Sequence, residues 1–178
     1  MVRVPSGRLR APAVERPFHV VLLEPEIPPN TGNVARLCAA TGCALHLVGP
    51  LGFSTDEHAV RRAGLDYWHL VELHQHGDLL GAERAIRSAG GTGRSWLWSA
   101  HAARSHLDVR FLRGDALVFG KESVGLPPDL LAARSDDVVG IPTLGAVRSL
   151  NLANAVSIAL YEALRQIGAL DGARRVDE

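Results

Sequence analysis

Two cysteines, Cys38 and Cys43, are all that 178 residues provide, too few for a disulfide framework. With His46 they form a loose Cys-x4-Cys-x2-His string, but no fourth ligand follows at a usual spacing. They read as buried thiols, and no metal site is expected. No apolar run approaches the roughly 20 residues that cross a bilayer, so no membrane partner is expected. The first seventeen residues are basic but lack the continuous apolar stretch of a signal peptide. A cytoplasmic protein is the expectation. An excess of charge of one sign is also missing. Nineteen Lys and Arg balance nineteen Asp and Glu, which excludes a wholly basic nucleic-acid binder. Basic residues still gather locally: Arg3, Arg8, Arg10 and Arg16 are opposed near the start only by Glu15. A modest patch suffices to attract a polyanion, because the local field matters more than the net charge. Two nucleotide fingerprints are absent as well. No Gly-x-Gly-x-x-Gly follows the first expected strand, which weakens a nicotinamide-dependent oxidoreductase. Gly114, Gly120 and Lys121 faintly suggest a phosphate loop. Five residues separate those glycines instead of four, Glu122 stands where Ser or Thr belongs, and the intervening ALVF reads as a strand.

What is present fits one domain with a sizeable core: the length is ample and 47% of residues are hydrophobic. Residues 1–17 carry three prolines and no periodicity, so they read as a flexible tail; 18–168 form a single domain, and 169–178 a second tail. Phe18–Leu23 is a near-continuous apolar run, as in a strand covered on both faces. A helix is expected around Asn33–Thr41, stopped by Gly42. Strands follow at Ala44–Val48, Leu70–Leu73, Ser95–Ser99, Ala116–Phe119 and Val138–Ile141. Helices are expected after the Ser54-x-x-Glu57 capping box, at Asp78–Ala89, at Pro127–Ala133, and from about Asn151 to Ile167. Such alternation implies an α/β fold, with a mostly parallel sheet and helices on both faces.

In open α/β sheets ligands bind beyond the carboxyl ends of the strands, and three loops there are unusual. Glu24–Asn33 holds adjacent prolines and Gly32 and leads to Arg36, one helical turn past Asn33. A plain reading makes it a rigid turn, with Asn30 or Thr31 as a helix cap. Phe119–Pro127 is the second loop. The third, Ile141–Asn154, enters the last helix with Ser149, Asn151 and Asn154 near its amino end, where exposed amides favour an anionic group. Capping by Ser149 alone does not require both asparagines.

Asn-Thr-Gly-Asn-x-x-Arg (30–36), Phe-Gly-x-Glu-x-x-Gly-Leu (119–126) and Ile-Pro…Arg-Ser-Leu-Asn-Leu-x-Asn-Ala (141–155) resemble the three signature motifs of the SPOUT superfamily of RNA 2′-O-methyltransferases. The resemblance covers about residues 18–168. Glu24–Asn33 and Arg61–Tyr67 (RRAGLDY) are similar to segments of the TrmL group, which methylates the wobble cytidine or uridine of tRNA. The resemblance implies a C-terminal trefoil knot, a homodimer, tRNA as partner and S-adenosylmethionine as methyl donor. By position it implies donor contacts at Trp98, Gly120, Ile141 and Ser149, with Leu126 and Leu150 as apolar walls. It gives Arg36 the catalytic place, oriented by Glu122, Ser149 and Asn151. Because a guanidinium is an awkward base, Arg36 is expected to stabilise the developing alkoxide or an adjacent phosphate. RNA contacts are expected at Asn30, Arg61, Arg62 and Arg148. Relatives usually continue Phe-Gly with proline and Glu-Thr-Arg-Gly; here Lys121 and Val124 replace the proline and the arginine, and His101 stands where a lysine is frequent. Trp96 and Trp98 read as sheet core, with Trp98 also placed by the resemblance at the border of the donor. Other readings are another tRNA or rRNA target, or a non-enzymatic RNA-binding module.

Overall fold

The computed structural model describes residues 7–52 and 68–176. The helix expected after Ser54 lies outside the described residues, as do Arg61 and Arg62. Strands β1 (Arg8–Arg10), β2 (His19–Leu23) and β3 (Ala44–Val48) are followed by β4 (Leu73–His76), β5 (Ser95–Trp98), β6 (Ala116–Phe119), β7 (Val138–Val139) and β8 (Arg174–Val176). Helices α1 (Pro28–Thr41), α2 (Leu79–Ser88), α3 (Pro128–Ala133) and α4 (Leu152–Gln166) alternate with them. Six strands form one parallel sheet in the order β4-β3-β2-β6-β5-β7. The expected parallel α/β architecture is present.

The sheet's two faces are covered by different helices. Val20, Leu22, Leu45, Leu47, Trp96, Trp98 and Leu117 pack with α1 (Val34, Ala35, Cys38) and with Val156, Leu160 and Leu164 of α4. Val21, Val48, Leu97 and Val118 point the other way, onto Ala82 and Ile86 of α2 and Leu130 and Leu131 of α3. This is why the strands read as unbroken apolar runs rather than as alternation. Leu160 is fully buried, and truncating it to alanine would cost about 2–5 kcal/mol. Trp96 belongs to this core: its Nε1 donates to Asp115 Oδ2 at 2.9 Å and its ring meets Phe111 edge-on.

Local differences from the sequence reading have physical causes. Helix α1 begins at Pro28, not near Asn33, because Pro28 and Pro29 occupy its first two positions, where a missing N–H costs nothing. Gly42 ends it in the left-handed conformation, φ 69°. Neither Asn30 nor Thr31 is the cap; Ile27 precedes the helix and makes no side-chain capping bond. The strand expected at Leu70–Leu73 starts only at Leu73, after a short 3-10 turn over Trp68–Leu70. Its LHQH sequence looks polar in isolation. In the sheet His46 and His74 are register partners and stack at 4.8 Å, while His46 shares a 3.0 Å hydrogen bond with His76. Where tails were expected at the two ends, Arg8–Arg10 pairs antiparallel with Arg174–Val176.

Candidate active site

Strands β2 and β6 are adjacent, yet β3 and β4 continue from β2 in one direction while β5 and β7 lie beyond β6. Their carboxyl ends therefore flank a topological switch point, where the diverging loops leave a crevice. The loops after β2 and β6 meet there and are tied reciprocally. Glu122 Oε2 accepts from the Glu26 amide at 2.9 Å, and Glu122 Oε1 accepts from the Ile27 amide at 3.3 Å. In return Glu26 Oε2 accepts from the Ser123 amide at 3.1 Å, and hydrogen bonding from the Ser123 side chain, together with that amide, holds the Glu26 carboxyl below its usual range. Lys121 Nζ lies 2.6 Å from Glu24 Oε2, which raises the ammonium's pKa through their hydrogen bond. Glu24 itself sits at φ 49°, a conformation that few non-glycine residues adopt.

The third loop joins through an asparagine pair. Asn151 caps α4, its Oδ1 accepting from the amides of Ala153 at 3.0 Å and Asn154 at 3.4 Å. Its Nδ2 donates to Asn30 Oδ1 at 3.0 Å, and Asn30 Nδ2 donates to Glu122 Oε1 at 3.0 Å. The cap considered for Ser149 thus falls to Asn151. Asn30 joins Glu122, 92 residues on, and Asn151, 121 residues on, in one continuous hydrogen-bonded line. Glu122 also supplies the acceptor that α1 lacks locally, a carboxylate at a helix amino end where the dipole favours it. Asn30, expected to contact RNA, is buried and its amide is engaged within this line.

Other candidates surround the line. Arg36 lies on the exposed side of α1, with Asn33 one turn before it. Residues 142–149, including Arg148 and Ser149, are all exposed, and among the described residues no main-chain group from 141 to 150 is hydrogen-bonded to another main-chain group. Gly120 is forced by space: a Cβ there would stand 2.1 Å from the Gly125 carbonyl carbon. The loop folds back on itself directly beyond β6, over the buried Leu126. Trp98 is buried and stacks with the rings of Phe111 and Phe119, and its Nε1 has no acceptor among the described residues. Val124 is 78% exposed at the loop's tip. The tie between Lys121 and Glu24 escaped the sequence reading, although one lysine facing loops rich in glutamate was the available signal.

A parallel sheet with helices on both faces, and three loops converging at its carboxyl edge, define the class: the α/β arrangement of the SPOUT methyltransferases. The family model described as SpoU rRNA Methylase matches residues 17–161, and the chain belongs to that family. A tRNA (cytidine(34)-2'-O)-methyltransferase of Saccharophagus degradans is 47% identical over 154 residues, covering 85% of this chain and 96% of that one. A solved structure described as giving insights into the 2-OH methylation of C/U34 on tRNA superposes with a TM-score of 0.75 at 47% identity, covering 84% of this chain and 95% of that one. The SpoU methyltransferase AviRb of Streptomyces viridochromogenes, solved with AdoMet, gives a TM-score of 0.70 at 28% identity, covering 89% of this chain and 60% of that one.

Proposed function

We propose that this protein transfers a methyl group from S-adenosylmethionine to the ribose 2′-hydroxyl of tRNA, at the wobble cytidine or uridine of the anticodon. The observation that carries this reading is the Asn151–Asn30–Glu122 line, which locks three separated loops into one site. Relatives that act on cytidine 34 share nearly half of the sequence across almost their full length, which supports the choice of nucleotide. When bound, S-adenosylmethionine supplies an activated methyl group, so the chain itself has mainly to position the partners and manage one charge.

The residues fit that donor. Main-chain groups of 141–150 stand ready for an adenine edge, Gly120 offers bare backbone, and Leu126, Leu150 and Ile141 supply apolar walls. Trp98 and Ser149 complete the donor side. Arg36 is the charged group assigned to the attacking oxygen; its guanidinium stabilises negative charge developing there and takes no proton. Glu122 and Asn151 act by fixing the turn from which α1, and hence Arg36, projects. Arg148 reaches RNA phosphate from the exposed loop, and Arg61 and Arg62 share that task.

We further assign residues 18–168 to one methyltransferase domain, with its C-terminal segment threaded as a trefoil knot. The backfolded Gly120–Gly125 loop and the parallel bridge between Ser105 and Gly140 support that threading. A homodimer would cover Leu144, Val147 and Val124, which stand exposed around the site. No helix among the described residues is long and apolar enough to cross a membrane, and the cytoplasm, where tRNA is processed, is the proposed place of work.

The experiment measures transfer of labelled methyl from the donor to unmodified tRNA by the wild type and by Arg36→Ala. We expect the variant to lose transfer while its donor affinity stays within about threefold, a difference below 1 kcal/mol. Parallel loss of both would remove Arg36 from the catalytic role.

A further inference from the structure

Residues 8–10 and 174–176 meet beyond the carboxyl end of α4, away from the loop cluster. After α4 the backbone turns at Gly168 and Gly172, both at positive φ, and β8 runs back antiparallel to β1. The preceding stretch, residues 14–17, is strapped to the amino-terminal edge of the sheet. Arg113 Nη2 donates to the Glu15 carbonyl at 2.8 Å, the Gly114 amide donates to the Pro17 carbonyl at 2.8 Å, and Arg16 Nε donates to Glu72 at 2.6 Å. Helix α4 spans about 22 Å from Asn151 to this end. The ribbon lies outside the matched family region, residues 17–161.

Its register is unusual. Arg10 is paired directly with Arg174, and Leu9 with Arg175, and all six residues of the ribbon are exposed. Residues directly opposite in an antiparallel pair point to the same face, so Arg10 and Arg174 project side by side, and like charges placed so repel. Two strands of three residues are moreover marginal without further support. Acidic residues close in sequence are Glu15 and Asp171, both exposed, and Asp177 and Glu178, which follow outside the described residues. A ligand carrying spaced negative charges relieves the repulsion and firms the ribbon in one event.

We propose that the β1–β8 ribbon is a second RNA-contacting surface, gripping the tRNA phosphate backbone through Arg10 and Arg174, which share one face of the ribbon. This deepens the proposed function and rests on it. Phosphate contacts of this kind set position and affinity without reading sequence, so the ribbon acts on tRNA binding and not on transfer.

The test compares wild type with R10Q/R174Q and R10K/R174K, using tRNA methylation kinetics and tRNA binding across a salt series. The glutamine variant should raise KM for tRNA about tenfold near 0.1 M salt and flatten the log–log salt slope by about 2. Its kcat, donor affinity and melting temperature should match wild type, and the lysine variant should restore KM. Amide exchange in residues 8–10 and 174–176 of the wild type should slow when tRNA binds. Unchanged KM and slope in the glutamine variant would overturn the ribbon's role while leaving the methyltransferase reading intact. Wild type that methylates no tRNA would overturn both.

Discussion

Replacing Glu122 by alanine is the perturbation whose cost follows most directly from the geometry. The carboxylate accepts from the amides of Glu26 and Ile27 and from Asn30 Nδ2. The two amides belong to exposed residues, so water can take over their bonds at a cost of about 0.5 kcal/mol each. Asn30 Nδ2 belongs to a buried residue, and leaving such a donor unmatched costs about 1–3 kcal/mol. Relief of repulsion from the neighbouring Glu24 and Glu26 returns a fraction of this. The sum is about 2–3 kcal/mol, or a fall in Tm of roughly 5–10 °C for a chain of this length. Urea unfolding followed by circular dichroism measures it directly, with an unchanged m-value expected because the folded surface is preserved. The same variant should weaken donor binding by at least about tenfold, since the loops after β2 and β6 lose their tie. A Glu122→Ala protein within about 0.5 kcal/mol of wild type, with unaltered donor affinity, would refute the reasoning.

Acid should destabilise the protein through the histidine file on the α2 face. His46 shares 3.0 Å hydrogen bonds with His19 Nδ1 and His76 Nε2, and burial pushes it down to about 2, with the neighbouring imidazoles adding to the effect. The native state thus stays neutral at position 46, while the unfolded chain takes up a proton below about pH 6.5. The contribution is complete above that pH and is lost progressively as pH falls towards 2, amounting to about 2 kcal/mol by pH 5. Urea midpoints at neutral pH and near pH 5 check this, and a midpoint that holds or rises on acidification would contradict it. Asp115 is fully buried and accepts from Thr92 Oγ1, Trp96 Nε1 and the Leu112 amide. Asp115→Ala should cost about 3–5 kcal/mol by stranding those donors, measured as a lower urea midpoint with altered tryptophan fluorescence.

The strands that were legible in the sequence are those enclosed by helices on both faces. HVVLL, ALHLV and ALVF show as apolar runs because every side chain in them meets a helix or a neighbouring strand. Position β4 was misplaced because its histidines become strand residues only opposite His46, a partner that no local window contains. The start of α1 was obscured for the same reason: the carboxylate that completes its first turn comes from Glu122, over ninety residues away. The three site loops were recognisable as motifs. The division of work among them was not, since Asn30 reads as an exposed polar residue until Asn151 and Glu122 bracket it. The terminal ribbon gave no signal, because RLR and RRV are too short for any periodicity to register.

The central claim is that this loop cluster directs a methyl group to one ribose oxygen. Incubating the purified protein with S-adenosylmethionine and unmodified tRNA, then mapping the product by mass spectrometry of nuclease fragments, tests it most directly. The predicted result is a single added methyl on the ribose of cytidine or uridine at the first anticodon position. A methyl found on a base or at another position, or no methyl at all, would contradict the account.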